Sequence, residues 1–214
     1  MANRKPIHCI GDSHVSLFSG KDEVIPVWNE PHEDLLPQFR TYRLGAFLAY
    51  NLATPNHEGR DKLFRCIKSL PKNSKVLLCF GEIDCRAHIV KQALAQDRAI
   101  SDVAMEVATR YAGVIEELRE FCKPAVWGAT PQSAAQHSSN KFPTVGTMQE
   151  RNEATRTFND TLMLYGEAKH VWVFQIHHYI VSKGVSDESY FLDSAHLNQR
   201  ALPLALEELA PFLK

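Results

Sequence analysis

Two short stretches, almost the full chain apart, carry the residue types of nucleophilic catalysis: Gly11-Asp12-Ser13-His14 near the beginning and Asp193-Ser194-Ala195-His196 near the end. A serine hydroxyl attacks a carbonyl carbon only when a base removes its proton, and an imidazole oriented by a carboxylate is such a base. Asp193 and His196, three residues apart, can share one short turn, leaving the far nitrogen of His196 to take the proton of Ser13. Ser13 directly follows an apolar run, so it is expected where the chain turns from strand to helix, with its own N–H available to a developing oxyanion. Plain alternatives stand beside this reading. Asp12 or Ser13 fits a helix N-cap equally well. The Asp193/His196 pair fits a capped turn with a solvent-facing imidazole, or two ligands of a metal. His177 and His178 are expected to point to opposite faces of a strand, which makes them poor partners in a chelate. No metal and no cofactor is therefore expected.

These residues need a scaffold that brings the two ends of the chain together. Residues 7–10, 76–80, 125–127 and 171–176 are short, nearly continuous apolar runs, the pattern of strands covered on both faces. Helical spacing fills residues 44–52, 62–70, 102–121, 149–164 and 200–213. In the third of these Val103, Val107, Tyr111, Val114, Ile115, Leu118 and Phe121 recur at three- and four-residue steps. Strands alternating with helices predict an α/β fold, a three-layer sandwich around a mostly parallel sheet, as one domain over residues 1–214. Residues 132–146 are rich in Ser, Gln, Pro and Gly and read as a surface loop, a candidate lid or an ordinary connection.

Composition narrows the function. Lys and Arg total 24 against 25 Asp and Glu, so no excess of positive charge offers itself to nucleic acid or an anionic membrane. The first six residues are positively charged but lack the apolar core of a signal peptide, and no stretch of about 18 apolar residues spans a bilayer. Five cysteines without a CxxC spacing read as reduced, packed thiols, and a cytoplasmic location is expected. The oligomeric state is left open.

Taken together, these blocks resemble the SGNH hydrolase superfamily, the GDSL-type esterases and lipases, with matching blocks running from residue 11 to residue 198. The resemblance implies a flavodoxin-like SGNH hydrolase fold, a triad of Ser13, Asp193 and His196, and Gly45 as a second oxyanion donor through its backbone N–H. It also implies a third block, GxND, which corresponds to Gly81-Glu82-Ile83-Asp84. Gly81 and Asp84 match, but Ile83 stands where the family carries Asn, and isoleucine has no hydrogen to donate. Removing one oxyanion donor costs about 2.7 to 4 kcal/mol elsewhere. Arg86 offers a substitute donor or a clamp for an acidic substrate, with Glu82 or Asp84 holding it; a simple ion pair to one of those carboxylates is the alternative. Cys79 reads as a small buried hydrophobe, and nothing marks Cys85 as an activated nucleophile.

The function that follows is hydrolysis of a carboxylic ester with a short acyl group, such as acetyl on a sugar or other small alcohol, through an acyl-enzyme on Ser13. Acyl transfer by the same triad and a silent binding module of the same fold are the alternatives. Phe18, Trp28, Phe47 and Tyr50 fit a core or an acyl pocket equally.

Overall fold

A computed structural model describes residues 5–137 and 141–214. The reading of the extreme N-terminus falls mainly on residues outside this range, as do three positions of the 132–146 segment.

Five parallel strands form the central sheet: β1 (Ile7–Gly11), β2 (Phe39–Arg43), β3 (Lys75–Cys79), β4 (Lys123–Trp127) and β5 (Trp172–Phe174), in the order β2-β1-β3-β4-β5. The apolar runs are continuous because alternate residues serve two cores. Val76 and Leu78 of β3 face one core, with Ile10, Val126, Leu63, Tyr111 and Phe158. Leu77 and Cys79 face the other, with Cys9, Phe18, Trp127, Leu209 and Phe212. The first core packs under α1 (Ala49–Leu52), α2 (Glu58–Lys68), α3 (Ile89–Gln96), α4 (Ile100–Leu118) and α5 (Met148–Lys169). The second is covered by a 3₁₀ helix over Ser13–Ser19 and, past the short α6 (His177–Ile180), by α7 (Leu202–Leu213). This is the expected three-layer α/β/α sandwich.

Several elements differ from expectation for identifiable reasons. β2, Phe39-Arg40-Thr41-Tyr42-Arg43, alternates buried and exposed positions at a sheet edge, and its arginines hide it from a search for apolar runs. The helix expected over 44–52 shrinks to one turn, because Gly45 adopts φ 127° and Leu48 is extended. α3 was not anticipated. His177 and His178 open α6 rather than alternating along a strand, since β5 ends at Phe174. All five cysteines are free and buried. No described helix is long and apolar enough to cross a membrane.

Because β2 and β3 flank β1 on opposite sides, the chain reverses direction across the sheet at the carboxyl end of β1. Clefts in open α/β sheets form at such points. Ser13 lies there.

Candidate active site

Each strand end contributes one piece of the site. Asp12 closes β1: its N–H donates to the Cys79 carbonyl (3.1 Å), and its carboxylate caps the 3₁₀ helix by accepting from the His14 N–H (2.9 Å). The N-cap reading thus holds for Asp12 and leaves the Ser13 hydroxyl free for other work. That hydroxyl donates to His196 Nε2 at 2.7 Å. His196 Nδ1–H donates to Asp193 Oδ2 (2.8 Å) and Oδ1 (3.0 Å). A carboxylate only accepts, so it fixes the imidazole proton on Nδ1 and leaves Nε2 as the acceptor facing the serine. Asp193 also accepts from the backbone N–H groups of Ala195 and His196, both at 2.8 Å. Partial burial raises its pKa, but the His196 ring and these N–H groups prevail and hold it well below the usual carboxylate range. One tight turn therefore builds the carboxylate and the imidazole as a unit, and the fold carries it to Ser13 across 183 residues of sequence.

Gly45 follows β2 in register with the nucleophile. Gly11 of β1 pairs with Arg43 of β2, so Ser13 and Gly45 each lie two residues past the paired strand ends, and the Leu44 N–H ties the segments together through Gly11 O (2.8 Å).

After β3 the structure separates the candidates. Gly81 takes φ 117°, and a Cβ there would overlap the Phe158 ring at 2.6 Å, so its place in the block is conformational. Ile83 is buried, 2% exposed. Asp84 is turned to α1. Its carboxylate accepts from the Ala49 N–H (2.6 Å) and the Tyr50 N–H (3.0 Å), capping α1, and burial outweighs these bonds to push its pKa up to about 7. Two consequences can be measured. Asp84→Ala leaves the buried Ala49 N–H and the half-buried Tyr50 N–H without this acceptor and is expected to lose about 2 to 4 kcal/mol in urea unfolding. A carboxyl whose folded pKa is raised stabilises the fold less as pH climbs from about 4 to about 7, so Asp84→Asn should flatten that part of the stability profile.

Arg86 is the ion pair of the plainer reading. Its Nε–H donates to Glu82 Oε1 at 2.8 Å and its Nη1 to the Phe142 carbonyl at 2.5 Å, within a π-helical turn, Asp84–His88. It is 5% exposed, and these partners engage its Nε and Nη1 donors. Cys79 and Cys85 are buried and burial pushes both thiols well above their ordinary pKa, which leaves them inert as nucleophiles. Phe18 belongs to the core against Phe39 and Trp127 and Phe47 is buried, whereas Trp28 and Tyr50 are half-buried.

Sequence reasoning missed a layer of polar residues around the triad. Glu82 Oε2 accepts from His14 Nε2 at 2.8 Å, and the His14 ring stacks on His196 with centroids 4.9 Å apart. The start of the 132–146 segment is no surface loop, because Gln132 and Ser133 are buried. Arg151 donates to the Ser133 and Gly146 carbonyls, Asn152 accepts from the Gln132 N–H, and Glu188 accepts from Ser133 Oγ and the Ala134 N–H. His137 Nδ1 lies 2.9 Å from Ser194 Oγ, between Asp193 and His196 in sequence. These bonds make the segment a fixed side of the site where it is described. The only advance signal was weak: charged and amide side chains spaced through an otherwise amphipathic α5. Among the described residues, no group of three or more His, Cys, Asp or Glu is arranged to hold a metal ion.

A parallel five-stranded sheet between helical layers, with this serine turn at its switch point, is the SGNH hydrolase fold. No protein-family model matches the chain, and no curated protein matches it significantly. Solved structures share its architecture at low identity. A protein described as a platelet activating factor from Streptococcus pneumonia is 15% identical with a TM-score of 0.59, over 100% of this chain and 86% of that one. A GDSL-like lipase from Bacteroides thetaiotaomicron is 11% identical with a TM-score of 0.54, over 98% and 87%. Phospholipase A1 from Streptomyces albidoflavus is 15% identical with a TM-score of 0.53, over 98% and 99%.

Proposed function

We propose that the protein hydrolyses carboxylic esters through an acyl-enzyme on Ser13. The observation that carries this reading is the unbroken relay from Ser13 Oγ through the His196 ring to Asp193, with a 2.7 Å contact at the reacting end. In the reaction Ser13 Oγ attacks the acyl carbon as its proton passes to His196 Nε2. The resulting imidazolium, stabilised by Asp193, returns that proton to the leaving alcohol. Water then repeats the sequence with His196 as base and frees the acid. The N–H groups of Ser13 and Gly45 hold the oxyanion. Ile83 supplies no third donor, so this hole is weaker by one hydrogen bond than the GxND pattern implies.

The acyl group in this reading is short, such as acetyl on a sugar or other small alcohol. Beneath the serine turn the space lined by Asp12, His14, Glu82, Trp127 and Thr130 admits no water-sized group, which gives no deep acyl tunnel there. A separate cavity of about 390 Å³ lies beside Trp172 and Met163, at the β5 edge of the sheet. The five free, buried thiols support a reducing, cytoplasmic setting.

The test is turnover of a short-chain aryl acetate together with labelling by a fluorophosphonate. The expected result is acetate release and one adduct, on Ser13. A folded protein that neither turns over the ester nor takes the label is a binding module, and the proposal falls.

A further inference from the structure

We propose that His14 is a positioning residue for the base: its ring, clamped by Glu82, is the support on which the His196 ring rests, and it carries a positive charge against that ring. This inference rests on the reading of Ser13 and His196 as nucleophile and base.

The geometry is specific. His14 immediately follows the nucleophile and is 6% exposed. Its Nε2–H donates to Glu82 Oε2 at 2.8 Å, and its Nδ1 lies 3.4 Å from Thr130 Oγ1. Glu82 is itself held by Arg86 Nε at 2.8 Å, and Arg86 by the Phe142 carbonyl. The His14 ring therefore has both nitrogens engaged and cannot turn. Against it, 4.9 Å away and tilted by 26°, lies the His196 ring. Besides Ser13, His196 is bound by Asp193, whose side chain is 45% exposed on a surface turn. A relay built on such a turn gains its orientation from a rigid support, and the support here is anchored in the core beside the nucleophile.

The charge follows from what surrounds His14. Burial opposes its protonation, but Glu82 and Asp12 outweigh burial and the repulsion of Arg86, and its pKa is raised. The charged and titratable groups facing it are Asp12 on its own turn, Glu82 and Arg86 after β3, and His196 before α7, with neutral Thr130 after β4. A charged His14 ring repels a second positive charge on the ring stacked against it, and the pH dependence below reads that repulsion. Once the proton moves, the carboxylates of Glu82, Asp12 and Asp193 surround the two rings and balance them.

The experiment is the rate of fluorophosphonate labelling of Ser13 against pH in wild type, His14→Phe and His14→Ala. Phenylalanine keeps the support and removes the charge. Its plateau rate is expected within about tenfold of wild type, with the acid limb moved up by about one pH unit, the scale of one unit charge at this separation. Alanine removes the support as well, and its plateau is expected to fall a further tenfold or so, about the loss that a misoriented base brings. A purely structural role would lower the amount of folded, labelled protein without moving the limb, and a His14→Phe limb that superimposes on wild type overturns the proposal. Should the variants not fold, imidazole nitrogen NMR of the wild-type protein decides it. The His14 ring, identified by its contacts to the His196 ring, is expected to be protonated on both nitrogens at neutral pH, and a neutral ring overturns the proposal. Absence of any label on wild-type Ser13 would overturn the esterase reading and this inference together. A labelled wild type with unmoved limbs overturns this inference alone.

Discussion

Removal of either the Ser13 hydroxyl or the His196 imidazole is expected to lower kcat for an aryl acetate by about 10⁴- to 10⁶-fold, and removal of both to lower it little further. The reason lies in the relay. Ser13 Oγ and His196 Nε2 are 2.7 Å apart and act as one unit: without the base the hydroxyl keeps its proton, and without the hydroxyl the base has nothing to deprotonate. Whatever activity survives in Ser13→Ala comes from the oxyanion donors and substrate binding, which the His196 change leaves in place. Single turnover of Ser13→Ala, His196→Ala and the double variant measures this, with unfolding curves to show that all three fold. Additive losses would mean that the two residues serve separate steps. Asp193→Ala should cost less, since His196 also keeps its stack on His14. Because its partners hold the Asp193 carboxyl well below the ordinary range, that carboxylate stays ionised through mild acid, so loss of activity there has another origin.

Much of this arrangement was legible in the residues alone. The four apolar runs became β1, β3, β4 and β5 because strands buried on both faces must be apolar at every position, and such runs stand out. β2 did not, since in this edge strand the exposed Arg40, with Thr41 and Arg43, breaks the apolar run. The same contrast runs through the site. Ser13, Asp193 and His196 were recognisable because their chemistry demands those residue types at those spacings. Gly45 was placed by resemblance, and parallel pairing of β1 with β2 explains its address. The sequence left the roles of Asp84 and Arg86 open, because an acid or a base beside a nucleophile looks the same whether it faces the substrate or the protein. Here Asp84 caps a helix and Arg86 braces Glu82. His14, Arg151 and Glu188 were overlooked, and Glu82 was read only as a partner of Arg86, since these side chains meet through tertiary packing that no local pattern records.

The buried charge around the triad has a common logic. Glu82 lies between His14 and Arg86, and its pKa, raised by burial, is brought far below the ordinary range by those two partners. Asp12, with only the His14 N–H on one oxygen and no partner for the other, is instead pushed up to about 6 by burial. The two buried carboxyls beside His14 thus differ in role. Glu82 is a fixed anion that organises cations, and Asp12 is a backbone cap whose charge is costly. Breaking a buried pair by removing one member strands the other, which is why this shell around Ser13 has to be present as a whole.

Gly11→Ala is expected to destabilise the fold by more than about 4 kcal/mol, and the reason is visible in the first letter of the GDS motif. Gly11 ends β1 against β3, and a Cβ on it would sit 2.1 Å from the Cys79 carbonyl oxygen and 2.7 Å from the Cys79 Cβ. Neither atom is the free end of a side chain, so the central pair of strands would have to separate. The same carbonyl accepts the Asp12 N–H, and the Gly11 carbonyl accepts the Leu44 N–H, so parting the strands also displaces the turn that aims Ser13 and the segment that presents Gly45. Gly113 is the matched control. It is exposed in the middle of α4, a methyl group added to it would meet nothing within 4 Å, and Gly113→Ala is expected to gain about 0.5 to 1 kcal/mol from helix propensity alone. Urea midpoints of the two variants measured side by side should therefore move in opposite directions. If Gly11→Ala unfolds at the wild-type midpoint, β1 and β3 do not approach as closely as the site requires, and the placement of Ser13 at their carboxyl ends fails with them.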